Sequence, residues 1–147
     1  MGTIIAVCVS ERKGEKKRNV EKAVLRANHG IEGDAHAGNW PRQVSLLADE
    51  SVDTMRGKGV ELKPGDFAEN LTVKGIDLKQ LAIGQRLKVG AEVVLEITQK
   101  GKECHNDCAI KQQVGDCVMP REGVFAKVIA GGEVKAGDSI NNVEGTK

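Results

Sequence analysis

The chain has 147 residues and a formal net charge of +1, and its length fits a single domain. Aromatic residues make up only 2%, so the core must be built from Val, Ile, Leu and Ala. The near-neutral charge and the scarcity of stacking side chains argue against a nucleic-acid partner. No apolar run reaches the length of a membrane span, so we expect no membrane association.

The first ten residues are apolar but lack a basic leader and a clear processing site, which predicts a first strand and not an export signal. We therefore expect a cytoplasmic protein. In a reducing compartment the cysteines are expected to be free thiols, metal ligands or catalysts and not disulfides. They are Cys8, Cys104, Cys108 and Cys117.

Short β-branched and apolar runs between glycine turns predict most of the chain as strand. In chain order the predicted strands are Thr3–Val9, Val20–Ala27, Arg42–Ala48, Asn70–Lys74, Arg86–Val89 and Ala91–Thr98. Gly123–Ala130 fits a strand or a helix, and Gly131–Gly132 predicts a hairpin turn into Glu133–Ile140. Glu11–Arg18 predicts a solvated turn, and the glycine-rich His29–Asn39 a tight, shaped loop.

Helical signals are few. Asp49 is predicted to cap a helix over Glu50–Lys58, and Asp77–Leu81 fits a single helical turn. Regularly spaced short strands without βαβ alternation predict a mainly β fold, a single closed or nearly closed β-barrel with a few short helices. We expect one domain over residues 1–147, with a core over about 3–140 and a frayed tail over 141–147.

The densest group of reactive side chains lies between Cys104 and Cys117, a stretch called the thiol segment below. One interpretation is a zinc site made by Cys104, His105, Cys108 and Cys117, although a second closely spaced cysteine pair is lacking. The other is a reactive thiol whose thiolate is favoured by neighbouring cationic side chains. Cys8, inside an apolar strand, fits a small buried hydrophobe.

Two further groups are candidates for ligand binding. In the loop Gly33–Gly38, glycines permit close approach of a ligand, and Asp34 and His36 present an acid and an imidazole. Alternatively, Asp34 closes a turn through backbone hydrogen bonds. Arg42 and Arg121 are candidate contacts for a phosphate or carboxylate.

Several motifs in a fixed order resemble a known family. They are Gly33-Asp-x-His36-x-Gly38 with Arg42, Phe67-x-Glu69-Asn70-Leu71-Thr72, Ile83-Gly84, Val94–Gln99 followed by Cys104, and Arg121-x-Gly123 leading to Gly137-Asp138. This order resembles the MOSC domain, the C-terminal domain of molybdenum-cofactor sulfurases, in a stand-alone form. The resemblance implies a barrel of the pyruvate-kinase barrel type.

The resemblance also implies a function, in which a cysteine carries sulfur as a persulfide or binds the molybdenum cofactor, molybdopterin. By position Cys104 matches the family cysteine and would be the metal ligand. The usual Lys-Leu after that cysteine is absent, so Cys108 and Cys117 remain alternative catalytic thiols. The residues implied in cofactor binding are Gly33, Asp34, His36, Gly38, Arg42, Asn70 and Arg121.

No pyridoxal phosphate site is identified, so the resemblance implies a separate sulfur donor or a molybdoenzyme as protein partner. Soft thiolates suit molybdenum, and arginines or glycine-rich backbone suit the pterin phosphate. We expect the loop, the two arginines and the thiol segment to line one cleft. A non-catalytic carrier of cofactor and a zinc-stapled structural or regulatory domain using Cys104, Cys108 and Cys117 remain alternatives.

Overall fold

The computed structural model describes residues 2–11, 17–35, 37–38, 43–50, 53, 69–76, 78, 81–100 and 123–143. Eleven strands lie in these ranges: β1 (Gly2–Val9), β2 (Arg18–Asn19), β3 (Lys22–Arg26), β4 (Gly30–Ile31), β5 (Val44–Ala48), β6 (Leu71–Lys74), β7 (Arg86–Val89), β8 (Val93–Lys100), β9 (Val124–Ala130), β10 (Gly132–Lys135) and β11 (Ser139–Asn142). The ambiguous stretch 123–130 is therefore a strand.

Seven of the described strands form a closed barrel. In the order β1, β6, β5, β9, β8, β7 and β11 each strand is hydrogen-bonded to the next, and β11 returns to β1. The seam between β11 and β1 is made by Gly2↔Ile140 and Thr3↔Ser139. Within this ring β5 and β6 run parallel, and the other neighbours run antiparallel. The predicted mainly β, closed-barrel fold is confirmed.

A second, three-stranded sheet has the order β10, β3, β4. The predicted hairpin at Gly131–Gly132 is wrong, because β10 pairs with β3 from Gly132↔Leu25 to Lys135↔Lys22 and not with the preceding β9. A Cβ on Gly131 would lie 2.5 Å from the Leu25 carbonyl oxygen. The glycine therefore lets the chain leave the barrel and approach β3 closely.

Aliphatic side chains fill the core. Along β8 buried positions alternate with half-buried ones, as expected for a strand with one face inward. All five residues of β5 are buried. The largest fully buried side chains are Ile4, Leu25, Ile31, Leu46, Leu47, Leu71, Leu78, Leu87, Leu95 and Ile97.

Two predicted loops differ from the structure. In the stretch 11–18, predicted to be solvated, Lys17 is only 3% exposed and Arg18 begins β2, while residues 12–16 lie outside the described ranges. In the predicted frayed tail, Asn141 and Asn142 pair with β7 as part of β11, and residues 144–147 lie outside the description. In both places the chain is held in position by contacts with atoms that are remote in the sequence.

Of the predicted helix over 50–58, only Glu50 and Asp53 are described, and both are helical, as is Asp49 before them. In the predicted helical turn over 77–81, Leu78 has 3₁₀ geometry and its carbonyl accepts a hydrogen bond from the Leu81 N–H at 3.2 Å. No helix in the described part of the chain is both long and apolar enough to cross a membrane.

Candidate functional site

The structure describes four of the predicted site residues, Gly33, Asp34, Gly38 and Asn70. The remaining ones lie outside the described residues, and their assignments stay predictions. These are His36, Arg42, Cys104, Cys108, Cys117 and Arg121.

The thiol segment is attached to the barrel by two adjacent strands. β8 ends at Lys100, β9 begins at Val124, and these two residues are register partners. One step further into the barrel Gln99 pairs with Phe125, and the Thr98 hydroxyl donates to the Phe125 carbonyl at 3.2 Å. Residues 101–122 therefore leave and re-enter the barrel at one hydrogen-bonded base, which restricts where both ends of the segment lie.

Asp34 is buried and bonded to two other parts of the chain. Its Oδ1 lies 2.8 Å from Nζ of Lys17, and neither side chain has exposed surface. The same oxygen accepts the N–H of Ser10 at 3.1 Å, and Lys17 Nζ also donates to the Ser10 hydroxyl at 3.0 Å. The carboxylate thus joins the end of β1, the residue before β2 and the Gly33–Gly38 loop.

The Asp34 backbone closes turns on both sides, since its N–H donates to the Ile31 carbonyl at 3.1 Å and its carbonyl accepts the Ala37 N–H at 3.1 Å. The sequence does not predict that its carboxylate is turned inward to an ammonium. Sequence reasoning missed Lys17, because its neighbours in the run Lys16-Lys17-Arg18 have the same charge. Only the register of β2 on β1, Val9↔Arg18 and Cys8↔Asn19, places the position before Arg18 beside Ser10. A buried charge requires such a partner, because the loss of hydration is otherwise uncompensated.

The loop has the backbone geometry that its glycines predict. Gly33 has φ of +86°, and among the described residues no heavy atom beyond its chain neighbours lies within 4 Å of the place a Cβ would occupy. Gly38 donates its N–H to the His29 carbonyl at 2.6 Å, and Ala35 donates to the Ser10 carbonyl at 2.9 Å. The described residues therefore leave room for a ligand next to the Gly33 backbone.

Asn70 is fully buried and joins three strands. Its side-chain oxygen accepts the N–H of Ser45 at 2.9 Å and the Ser45 hydroxyl at 3.1 Å. Its amide nitrogen donates to the Cys8 carbonyl at 3.1 Å, while the Cys8 N–H donates to the Asn70 carbonyl at 2.7 Å. These bonds give the side chain a structural role that links β1 and β5 at the start of β6.

Glu69, next to Asn70, was not among the predicted site residues. It is fully buried, and its Oε2 accepts the hydroxyl of Thr72 at 2.8 Å. A carboxylate before an apolar strand ordinarily indicates an exposed turn. Only its place in the Glu69–Thr72 motif could have indicated that Glu69 is a site residue. Among the described residues no three His, Cys, Asp or Glu side chains are grouped so that they could hold a metal ion.

The loop and the base of the thiol segment are attached at opposite ends of the described barrel. β1 is antiparallel to β6, and β6 is parallel to β5, so β1 ends where β5 begins. Ser10 and the Gly33–Gly38 loop follow that end of β1. β9 is antiparallel to β5, so Val124 and Lys100 lie at the other end.

The predicted common cleft therefore depends on the path taken by residues 101–122. A chain spans about 3.3 Å per residue when extended, so a segment of this length is able to return along the barrel. The path lies outside the described residues, and the common cleft stays a prediction.

Comparison with known proteins agrees with the barrel topology. The structure is similar to that of the YuaD protein from Bacillus subtilis, with a TM-score of 0.77 and 20% identity over 95% of this chain and 94% of that one. It is also similar to YiiM from Geobacillus stearothermophilus, with a TM-score of 0.74 and 19% identity over 98% and 76% of the two chains. YiiM from Escherichia coli is also similar, with a TM-score of 0.70 and 18% identity over 98% of this chain and 70% of that one.

Identities this low establish a common fold only. Among curated proteins there is no significant match. The MOSC domain family, however, matches residues 32–141, which is most of the chain and includes both the Gly33–Gly38 loop and the thiol segment. The resemblance inferred from the motifs is thereby confirmed. The chain belongs to the MOSC domain family, a family associated with molybdenum-cofactor binding and with sulfurase-type domains.

Proposed function

We propose that this protein handles the molybdenum cofactor or its sulfur through the thiol segment, with Cys104 as the acting residue. The observation that carries the proposal is the family match over residues 32–141, which includes Cys104 and the Gly33–Gly38 loop in one domain. The proposed setting is a reducing cytoplasm, where cysteines persist as thiols.

The chemistry requires an accessible thiolate. In sulfur transfer, the Cys104 thiolate attacks the outer sulfur of a persulfide on a donor, the donor's S–S bond breaks, and the donor leaves as a thiolate. Cys104 then carries the persulfide, with no net oxidation or reduction. Lys102 and His105 are its cationic neighbours in sequence, and positive charge favours the thiolate.

Cofactor binding would use the same thiol as a soft ligand to molybdenum. Arg42, Arg121 and the glycine-rich loop are the proposed contacts to the pterin phosphate, together with His36. We assign Asn70 an indirect part, because its hydrogen bonds to Ser45 and Cys8 hold the strands and not a ligand.

The first test is anaerobic purification from cells that make the cofactor, followed by mass spectrometry for pterin, metal and persulfide. We expect bound pterin or a persulfide in the wild type and a loss of at least tenfold in Cys104→Ser. Cys108→Ser and Cys117→Ser are the matched controls, and each should retain what the wild type carries.

Two results would contradict the proposal. If Cys104→Ser still accepts persulfide while Cys108→Ser or Cys117→Ser does not, the assignment by position is wrong. If the protein carries stoichiometric zinc and neither pterin nor persulfide, the zinc-stapled domain is the correct alternative.

A further inference from the structure

We propose that Lys17 is a positioning residue for the Gly33–Gly38 loop: it draws the Asp34 carboxylate into the protein and thereby fixes the loop that binds the ligand. The inference deepens the proposed function and rests on it for the identity of the ligand. It also assigns Asp34 as the anchor of the loop and not as a direct contact to the cofactor.

The first support is that the loop is attached at two successive residues. Asp34 bonds through its carboxylate to Lys17 Nζ at 2.8 Å and to the Ser10 N–H at 3.1 Å. Ala35 then donates its N–H to the Ser10 carbonyl at 2.9 Å. Lys17 itself donates to the Ser10 hydroxyl at 3.0 Å, so one ammonium holds both the loop anchor and the residue to which the loop is bonded.

The second support is burial. Neither side chain of the Lys17–Asp34 pair has exposed surface, so a ligand in solvent has no direct access to either charge. An effect of Lys17 on ligand binding is therefore indirect, and its bond to Asp34 is the route that leads to the loop. The loop residue next to the anchor, Gly33, has φ of +86°, and no described atom beyond its chain neighbours lies within 4 Å of the place of a Cβ, so the described part of the chain leaves its backbone open to a ligand.

The third support is electrostatic. An anionic ligand such as a pterin phosphate is repelled by a nearby carboxylate, and the repulsion is strong where water is excluded. The Lys17 ammonium lies 2.8 Å from the Asp34 carboxylate and offsets its negative charge within the buried cluster, which weakens that repulsion. A lysine at this position therefore suits a phosphate-bearing ligand.

The loop can be tested without any ligand by hydrogen–deuterium exchange in the full chain. Lys17→Met should raise the exchange rate of amides in residues 29–38 at least tenfold, while amides of β8 and β9 change less than threefold. The control is Arg26→Met, which breaks the exposed pair with Glu32 at 3.1 Å and should leave the loop unchanged. Equal increases throughout the barrel, or none in the loop, would overturn the inference.

The second measurement separates positioning from general stability. In Lys17→Met/Asp34→Leu two apolar side chains replace the pair, and such replacement commonly restores stability. We expect its melting temperature to exceed that of Lys17→Met, while its affinity for molybdopterin stays at least tenfold below wild type because the leucine side chain cannot accept the Ser10 N–H. Wild-type affinity in this double variant would overturn the inference.

The two proposals fail in different ways. If the wild type does not bind molybdopterin, the proposed cofactor-binding function fails, and the exchange experiment still decides whether Lys17 fixes the loop. If the wild type binds and Lys17→Met binds equally well, the proposed function stands and the role of Lys17 is refuted. If Lys17→Met does not fold, Lys17→Arg takes its place in the exchange experiment. Because arginine keeps the charge, we expect this variant to retain at least part of the loop protection.

Discussion

Asn70 shows how one buried amide can hold three strands of a barrel. Its side-chain oxygen satisfies the N–H and the hydroxyl of Ser45, and its nitrogen satisfies the carbonyl of Cys8. A buried polar group without a partner costs about 1–3 kcal/mol. The family motif therefore contains a residue whose role in the described structure is to set the relative position of β1, β5 and β6.

We predict that Asn70→Ala lowers the free energy of unfolding by about 2–4 kcal/mol, because several buried groups lose their partners together. Urea denaturation measures the effect. Asn142→Ala is the matched control, since Asn142 is exposed and its side chain accepts one bond, from Gln85 at 2.6 Å. The control should cost less than about 0.5 kcal/mol. Similar costs for the two variants would contradict the structural role of Asn70.

Residues of this kind mark the limit of what the sequence predicts about single side chains. The Glu69–Thr72 motif predicts Asn70 as a site residue, but its bonding to Ser45 and Cys8 depends on strand neighbours that the sequence does not reveal. The burial of Lys17 was missed for the same reason. In both cases the partner atoms lie at a distance in the chain, 25 residues for Asn70 and Ser45 and 17 for Lys17 and Asp34.

The local sequence pattern predicts the positions of the strands well and their pairing less well. The alternating run 91–98 was expected as a strand and is observed as Val93–Lys100, because alternation in burial is a local property. The pattern of the stretch 123–130 fits a strand or a helix. Its pairing with β5 on one side and β8 on the other makes it a strand. The hairpin predicted at Gly131–Gly132 is wrong because two adjacent glycines indicate a turn but do not indicate with which strand β10 pairs.

The path of the chain at Gly131 leads to a prediction about the smaller sheet. Gly131→Ala would place a Cβ 2.5 Å from the Leu25 carbonyl oxygen, a backbone atom that cannot move without shifting β3. We expect a loss of about 1–3 kcal/mol in the free energy of unfolding, as for other overpacked sites. Amide exchange in Lys22–Arg26 should rise as β10 separates from β3.

Gly137→Ala serves as the comparison for this variant. At Gly137 no atom of the described residues beyond its chain neighbours lies within 4 Å of an added Cβ, but φ is +97°, so the expected cost is backbone strain. We expect Gly137→Ala to lower stability while amide exchange in Lys22–Arg26 stays at the wild-type rate. If Gly131→Ala also leaves those amides unchanged, the close approach does not govern the pairing of β10.

Closure of the barrel depends on β11, which is hydrogen-bonded to β7 on one side and to β1 on the other. Ile140 is fully buried and is the register partner of both Gly2 in β1 and Val89 in β7. Its side chain therefore supports the two strands on either side of the seam. The sequence predicted a closed barrel from the number of short strands, but it did not indicate which strands meet at the seam.

We predict that Ile140→Ala lowers the free energy of unfolding by about 2–5 kcal/mol through the cavity it leaves. Because the barrel is closed, the loss should appear as one cooperative transition, coincident by circular dichroism and by fluorescence of the single tryptophan. Ile83→Ala is the control, since Ile83 is 66% exposed and should cost less than about 0.5 kcal/mol. Two separated transitions would show that the seam opens independently of the other strands.

The seam also has a consequence for how the protein is made. Gly2 and Thr3 pair with Ile140 and Ser139, so β1 waits for β11 to be synthesised before the barrel closes. At about 5–20 residues per second, several seconds separate the emergence of these strands from the ribosome. During that interval β1 lacks one neighbour and presents an open edge, a feature that invites association with other chains. Folding of this barrel is thus completed after translation of β11, and a nascent chain is the form most exposed to aggregation.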